Sequence, residues 1–506
     1  MSMPGDLVLT LDIGTGSSRA LIYSVSKMEV VSAVSMSAEI DHPSPNRAEF
    51  SPAKWRDAAL GAMAEAVAHA KSHAEDYIGI TVTSLRQGFV LIDKDGAPLG
   101  PGVLNYDLRG SLGIPHIQEK CNIEELYTLT GHWHAPELTL PKLIYYQEYE
   151  ADTWQKVEKI LFVHDWMIYE LTGEICTNAT MACAGQMADV SNRTWAFDLL
   201  AELEIPDRIL PPLMEAGTLI GGIQEEVAHR VGLLESTPVF VGGGDAQFGS
   251  LGAGGMCRDS MVIVGGSTTP LILTTDTPVM DPKKYPWVST HLAPGLWAVE
   301  MNAGSTGRLY KWFRDTFGTA QVEEAERRGL GPFEVLNKLA LKAPLGTNGL
   351  RAIASSPRWA QDTWEKKAPY MFLSFTTGHS LGEFARAILE SVCYAVRGNF
   401  EELERIRGTR SEKIIYTGGT AAPAFWAQMM SDVLGRTIHI PEIEEPAASA
   451  GAQVVLWGLG DDAEIPPPQY REYHPDEDTA AEYQGHYEDY VTKFEAVQKN
   501  FAEEIL

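Results

Sequence analysis

Three glycine-rich turns hold the residues of this chain best suited to chemistry. In the first, Asp12, Gly14, Thr15, Gly16, Ser17, Ser18 and Arg19 follow an apolar, β-rich run at residues 7–11. Gly14 and Gly16 let backbone N–H groups approach phosphate oxygens with no Cβ in the way, and the hydroxyls of Thr15, Ser17 and Ser18 can donate to them. Arg19 can add positive charge, and Asp12 at the strand end is suited to hold Mg²⁺ directly or through water. In the second turn, Gly242, Gly243 and Gly244 lead into Asp245, whose carboxylate can take the proton of an attacking hydroxyl. In the third, Gly418 and Gly419 precede a helix start, where partial positive charge suits a nucleotide. These are the parts that phosphoryl transfer needs: donors for phosphate, carboxylates for a divalent metal, and a proton acceptor. Each also has a plainer local reading, as a hairpin tip, a helix cap or a packing turn. Taken singly, the turns leave both readings open.

Other chemistries fit less well. The first turn fails the dinucleotide fingerprint, because Arg19 stands where the third glycine belongs, and no GxxxxGK[ST] occurs. His132 and His134 lack a third metal ligand and are expected at the surface or in a loop. His164-Asp165 resembles a protein-kinase fragment, but Glu170 stands where that loop needs Asn. The formal net charge of −28 argues against nucleic acid and against an anionic membrane surface. Five scattered cysteines without a CxxC pair fit a reducing cytoplasm better than a disulfide framework. The first residues lack a signal-peptide pattern, and no apolar run approaches a membrane span.

The elements that must position these turns are legible. Strands are expected at 7–11 and 20–25, joined by the glycine turn, and a helix at 51–72 opening on Ser51 and Pro52. Further strands are expected at 77–85 and 89–92, with a mainly helical stretch at 120–210. A second half opens with a strand at 238–241, then 260–264 and 270–273 around Gly265, Gly266, Ser267 and Thr268. Both halves thus begin on a hairpin with a small, hydroxyl-rich tip, as a duplicated α/β fold with its tips facing one cleft would. Strands at 413–416 and 437–440 alternate with helices at 425–434 and 447–457, and a last helix is expected at 480–501.

The order of these pieces resembles the FGGY carbohydrate kinases, of the larger group containing actin, hexokinase and the heat-shock ATPases. The matching segments are 11–23, 164–174, 237–255, 378–397 and 414–434. The resemblance implies two ribonuclease H-like domains around a catalytic cleft: 1–246 on the substrate side, 247–470 on the nucleotide side, and an acidic helical tail at 471–506. It implies ATP and Mg²⁺, with Asp245 as base and as a metal neighbour beside Asp12. Gly14, Thr15, Gly16, Ser17, Gly266 and Ser267 would meet phosphates, and Gly304, Arg308 and Gly419 would line the nucleotide pocket. Gly266 departs from the threonine common there, and Pro423 stands where some members place Asn. Arg86 and Gln87 occupy positions where glycerol kinases use Arg-Glu and xylulokinases Met-His, with Asp107 as a hydroxyl-binding residue. The expected acceptor is a small open-chain ketose or related polyhydroxy carbonyl compound, as for xylulokinases. The alternative is the dihydroxy-dione of autoinducer kinases, whose Arg-x-Gly and Asn-x-Asp-x-Arg patterns Arg86, Asn105, Asp107 and Arg109 resemble. A homodimer is common in such families. From another class, a non-catalytic sugar- or nucleotide-binding regulator is the rival, opposed by the retention of both Asp12 and Asp245.

Overall fold

A computed structural model describes residues 5–256, 260–461 and 464–504. The opening run forms β1 (Leu7–Gly14), which turns through Thr15 and Gly16 into β2 (Ser17–Ser24). Gly16 takes φ 88°, a left-handed conformation that a two-residue hairpin turn favours and side chains resist. β3 (Glu29–Ser37) extends the hairpin, and β4 (Tyr77–Ser84) lies parallel to β1 on its other side. β5 (Leu219–Gly222) and β6 (Pro238–Gly244) complete the order β5-β6-β4-β1-β2-β3. Val8, Leu9, Leu11 and Ile13 are all fully buried, as a central strand covered on both faces requires. One cover is α1 (Pro52–Ala70), capped by Ser51 as the sequence predicts.

The second sheet contains β7 (Ser260–Val264), β8 (Thr268–Thr275), β9 (Trp287–Thr290), β10 (Trp297–Ser305), β11 (Lys413–Thr417), β12 (Ile438–Pro441) and β13 (Tyr470–Tyr473). Its order is β9-β10-β8-β7-β11-β12-β13. Without the edge strands, the two sheets follow one path: an antiparallel hairpin, a third antiparallel strand, then a parallel partner beside the first strand. This is the duplicated ribonuclease H-like topology that the paired hairpins suggested.

Three helices join and cover the halves. α2 (Asp245–Gly252) leaves the tip of β6. α3 (Leu381–Arg407) opens with a Ser380–Glu383 capping box and packs on the second sheet. α4 (Pro446–Gly458), although late in the chain, covers β1 and β4 of the first sheet. Glycines permit that crossing: a Cβ on Gly451 would overlap Thr10, and one on Gly252 would overlap the Pro446 carbonyl. Finally α5 (Glu477–Phe501) starts on the Asp476 cap, three residues before the expected position, and lays Tyr483, Tyr487 and Tyr490 around Tyr394 of α3. Among the described residues no helix is long and apolar enough to cross a membrane.

Candidate active site

The β6–α2 turn is shaped by what each glycine must clear. A Cβ on Gly242 would overlap the Val82 carbonyl, one on Gly243 would crowd Thr180 and Leu292, and one on Gly244 would crowd the Arg86 side chain. Two side chains pin the turn. Thr180 Oγ1 accepts the Gly244 N–H at 3.0 Å, and His164 Nε2 accepts the Gly242 N–H at 3.2 Å. Because Nε2 accepts, the His164 proton lies on Nδ1 and is donated to Asp165 Oδ1 at 2.8 Å. His164-Asp165, which resembled a kinase fragment, is a fully buried strut beneath the turn.

Asp245 is the first residue of α2, and Gly244 takes the cap position, so the carboxylate is not consumed in capping. It accepts only the neighbouring Ala246 N–H (2.7 Å) among the described residues and remains 45% exposed at the cleft. Burial by the cleft walls pushes its pKa up to about 6 against the pull of Arg86, and the charges of Asp12 and Glu300 add to the rise. A carboxylate that titrates near neutrality is matched to accepting a hydroxyl proton. The charge of Asp12, on β1 of the same sheet, reaches Asp245 at the end of β6.

Two arginines organise these carboxylates. Arg86 lies 3.7 Å from Asp245 through Nε and binds both oxygens of Glu300 on β10, at 2.7 and 3.1 Å. Glu300 belongs to the second half, so this pair ties the halves together beside the base. The sequence reading missed Glu300, because it sits mid-strand with no turn or motif around it. Arg19 does not stand free for phosphate as expected. It forks onto one oxygen of Asp12 and donates to Glu445, the residue before α4, at 2.7 Å. Its charge is neutralised by two carboxylates that approach from opposite halves.

The phosphate-facing turns divide into open and packed positions. Nothing lies within 4 Å of a Cβ built on Gly304 or Gly419, and on Gly266 it would meet only the Thr268 carbonyl at 3.5 Å. Thr15 is exposed at its hairpin tip, with Gly14 and Ser17 paired beneath it. The Ser267 carbonyl accepts the Thr306 and Arg308 N–H groups, so the second hairpin seats the start of the helix Gly307–Phe317. Arg308 is exposed, has no ion pair among the described residues, and its charge reaches Tyr106 of the first half. Gly418 is instead a packing glycine: at φ 90° it crosses Gly265, whose carbonyl a Cβ would strike at 2.5 Å. Open glycine backbones, a free arginine and an Asp12 oxygen unclaimed by Arg19 fit a polyphosphate with Mg²⁺. Among the described residues no cluster of three or more His, Cys, Asp or Glu side chains is placed to hold a metal without such a phosphate.

On the acceptor side, Gln87 has φ 65°, a strained value for a residue with a side chain, next to Arg86. Its carbonyl is held by Thr139 at 3.1 Å and by Lys142 Nζ at 3.5 Å. Lys142 is fully buried and also donates to the carbonyls of Leu104 (2.8 Å) and Asn105 (3.2 Å). Burial pushes its pKa down to about 7, opposed by the charges of Asp107 and Glu137. Asp107 is not a free hydroxyl ligand. Each of its oxygens accepts two hydrogen bonds, from Arg109 and the Ala48 N–H, all between 2.8 and 2.9 Å, and it has no exposed surface. It anchors Arg109, which continues to Glu49 and Tyr146. His132 and His134 are buried rather than at the surface, in a loop whose Trp133 packs on Trp287 of the second half.

Two family descriptions match this chain: the FGGY family of carbohydrate kinases, N-terminal domain, over residues 7–252, and its C-terminal domain over residues 261–456. The chain belongs to the FGGY carbohydrate kinases. It is therefore a phosphotransferase that acts on an alcohol group, in a family whose phosphate donor is ATP. This FGGY kinase is similar to the autoinducer-2 kinase of Salmonella paratyphi A, with 28% identity over 494 residues, 95% of this chain and 92% of that one. Its fold resembles the ligand-bound xylulose kinase from Lactobacillus acidophilus, with TM-score 0.86, 20% identity, and 98% and 99% of the two chains covered. It also resembles the xylulose kinase from Rhodospirillum rubrum, with TM-score 0.85, 25% identity, and 97% and 99% covered.

Proposed function

We propose that this FGGY kinase transfers the γ-phosphate of ATP, with Mg²⁺, to a hydroxyl of an open-chain ketose or related polyhydroxy carbonyl compound. The observation that carries the reading is the Asp245 carboxylate, half-exposed at the end of β6, raised to about 6, with the charge of Asp12 adding to the rise. Asp245 accepts the acceptor's hydroxyl proton as the oxygen attacks phosphorus. Arg86 orients Asp245 and, through Glu300, ties it to the second half. Gly266, Gly304 and Gly419 leave room for the polyphosphate, and Arg308 offsets its charge. Mg²⁺ beside Asp12 and Asp245 would neutralise charge on the transferring phosphate. Closure of the cleft would keep water from competing with the acceptor. We place the reaction in a reducing cytoplasm, in keeping with Cys121, Cys176, Cys183 and Cys393, which are buried and free; Cys257 lies outside the described residues.

An autoinducer-type acceptor is the second reading, favoured by the autoinducer-2 kinase relative and by the Arg86 and Asn105-Tyr106-Asp107-Leu108-Arg109 patterns. One screen tests both: ADP release over ketopentoses, polyols, glycerol and the dihydroxy-dione. Preference for xylulose supports the first reading and preference for the dione the second. ADP release that no acceptor stimulates would remove both.

A further inference from the structure

Three glycines in a row carry no side chains with which to hold their own shape, so the turn before Asp245 takes its shape from its neighbours. Two of these neighbours are segments that meet at one side chain, Arg193. The first is the connection 291–296 between β9 and β10 of the second half, closed by the His291 N–H on the Leu296 carbonyl at 2.9 Å. Within it Leu292 is fully buried and fills the space that Gly243 leaves, where an added Cβ would come within 2.7 Å of its side chain. The second is 215–218 of the first half. Its Gly217 N–H donates to the Val241 carbonyl at 2.8 Å, and its Thr218 carbonyl accepts the Val241 N–H at 2.9 Å, one residue before the glycine turn. Ala216 and Leu292 share one apolar cluster with Phe248 and Leu251 of α2, the helix that Asp245 begins.

Arg193 ends the loop of a short hairpin, Ala188–Asp189 with Thr194–Trp195. It takes φ 56°, a strained value for a residue with a side chain, in a loop that Asp189 fixes by accepting the Ser191 and Asn192 N–H groups at 3.0 Å. Its side chain is 13% exposed. Nε and Nη2 donate to the two oxygens of Glu215 at 3.0 and 2.7 Å. Nη1 donates to the Leu296 carbonyl at 3.2 Å, and Nη2 also to the His291 carbonyl at 3.3 Å. A planar fork of five donors can span a carboxylate of one half and two carbonyls of the other, which a lysine ammonium cannot. Trp297 Nε1 ties the same hairpin to the start of β10 through the Val190 carbonyl at 2.8 Å.

We infer that Arg193 is a positioning residue for Asp245: it seats Leu292 on the glycine turn and the Glu215 segment on β6, and so sets where the base carboxylate points. The inference rests on the phosphotransfer reading for the role of Asp245, but not for what holds the turn.

The test uses the full chain and two independent readouts. Hydrogen exchange followed by mass spectrometry should be about threefold or more faster over residues 241–248 in Arg193→Met, with the first hairpin, 7–24, unchanged. Acceptor-dependent ADP release, on the best acceptor of the screen above, should show kcat lowered about tenfold or more with both KM values within about twofold. Leu292→Ala should act in the same direction, and the double variant should lie within about twofold of the worse single one, since both act through one contact. Arg193→Lys should recover part of the loss, and it carries the test if Arg193→Met does not fold. An unmoved kcat in both Arg193 variants, a change in KM alone, losses that multiply in the double variant, or exchange raised equally along the chain would overturn the assignment. If no acceptor stimulates ADP release by the wild type, the phosphotransfer reading falls, and the exchange measurement still decides whether Arg193 holds the turn.

Discussion

Neutralising Glu300 should move the pH dependence of this kinase in a direction set by the Arg86 bridge. Arg86 sits between two carboxylates, 3.7 Å from Asp245 and 2.7–3.1 Å from Glu300. In Glu300→Gln the guanidinium loses its stronger partner, and one negative charge near Asp245 disappears. Both changes favour the ionised form of Asp245, so its pKa must fall from about 6. A unit charge roughly 7 Å away, at an effective dielectric constant of about 20, is worth roughly 1.7 pH units. Because Asp245 is 45% exposed, solvent and salt reduce this severalfold, to about half to one unit. The assay is acceptor-dependent ADP release from pH 4.5 to 8.5, with kcat/KM reporting the free enzyme. Activity depends on the ionised base, so the wild-type profile should fall as pH drops through about 6 and the variant profile through about 5 to 5.5. The level at neutral pH should also fall, since a tie between the halves is lost, but the position of the acid limb is the diagnostic quantity. An unmoved limb, or one displaced upward, would refute the electrostatic account of Asp245.

Three further outcomes follow from the site. Asp245→Asn should lower kcat by about 10³-fold or more while calorimetry shows ATP binding within a few-fold of wild type; near-normal turnover would remove the base assignment. Asp12→Ala should raise the Mg²⁺ concentration for half-maximal rate at least tenfold, and an unchanged metal titration would count against a role at the metal. Lys142→Met should cost about 2–4 kcal/mol in urea unfolding, since three carbonyls lose their buried donor. Folding lowers the pKa of Lys142 to about 7, so the unfolded chain holds the extra proton between pH 7 and about 10.5 and stability should rise across that range. The variant should lose that contribution, and equal slopes in the two proteins would contradict it.

The elements were legible where local signals agree with burial. Ser51 and Pro52 start α1, Gly16 makes the first turn, and both hairpins fall where runs of β-branched residues meet small ones. The carboxylates were legible because each ends a strand in a glycine turn. Relations between distant segments were not. Nothing around Arg19 announces Glu445, 426 positions away, and nothing around Arg86 announces Glu300. Asp107 looked available because three of its four bonds come from Arg109, a residue whose side chain could equally have pointed to solvent. Gly418 looked like a phosphate turn because a glycine that clears a neighbouring loop has the same letter as one that clears a ligand. The tyrosine stripe of α5 read as an acidic tail, since its charged face dominates composition while its buried face decides where it lies.

The three adjacent glycines before Asp245 have a consequence for how this protein can vary. Their obstacles are different in kind: a strand carbonyl, a threonine and leucine from other elements, and the ends of the Gln247 and Arg86 side chains. A carbonyl of a central strand cannot be trimmed by any exchange of side chain, whereas a bulky neighbour can. Tolerance to replacement therefore grades along the turn, with Gly242 beyond rescue by a second change and Gly243 open to repair from afar. At Gly244 a Cβ would meet the Gln247 amide oxygen at 2.8 Å and Arg86 carbons at 3.0 Å, so accommodation there draws partly on the residue that steers the proton acceptor. Drift in this loop is channelled into a narrow order, and its last step trades accommodation against turnover.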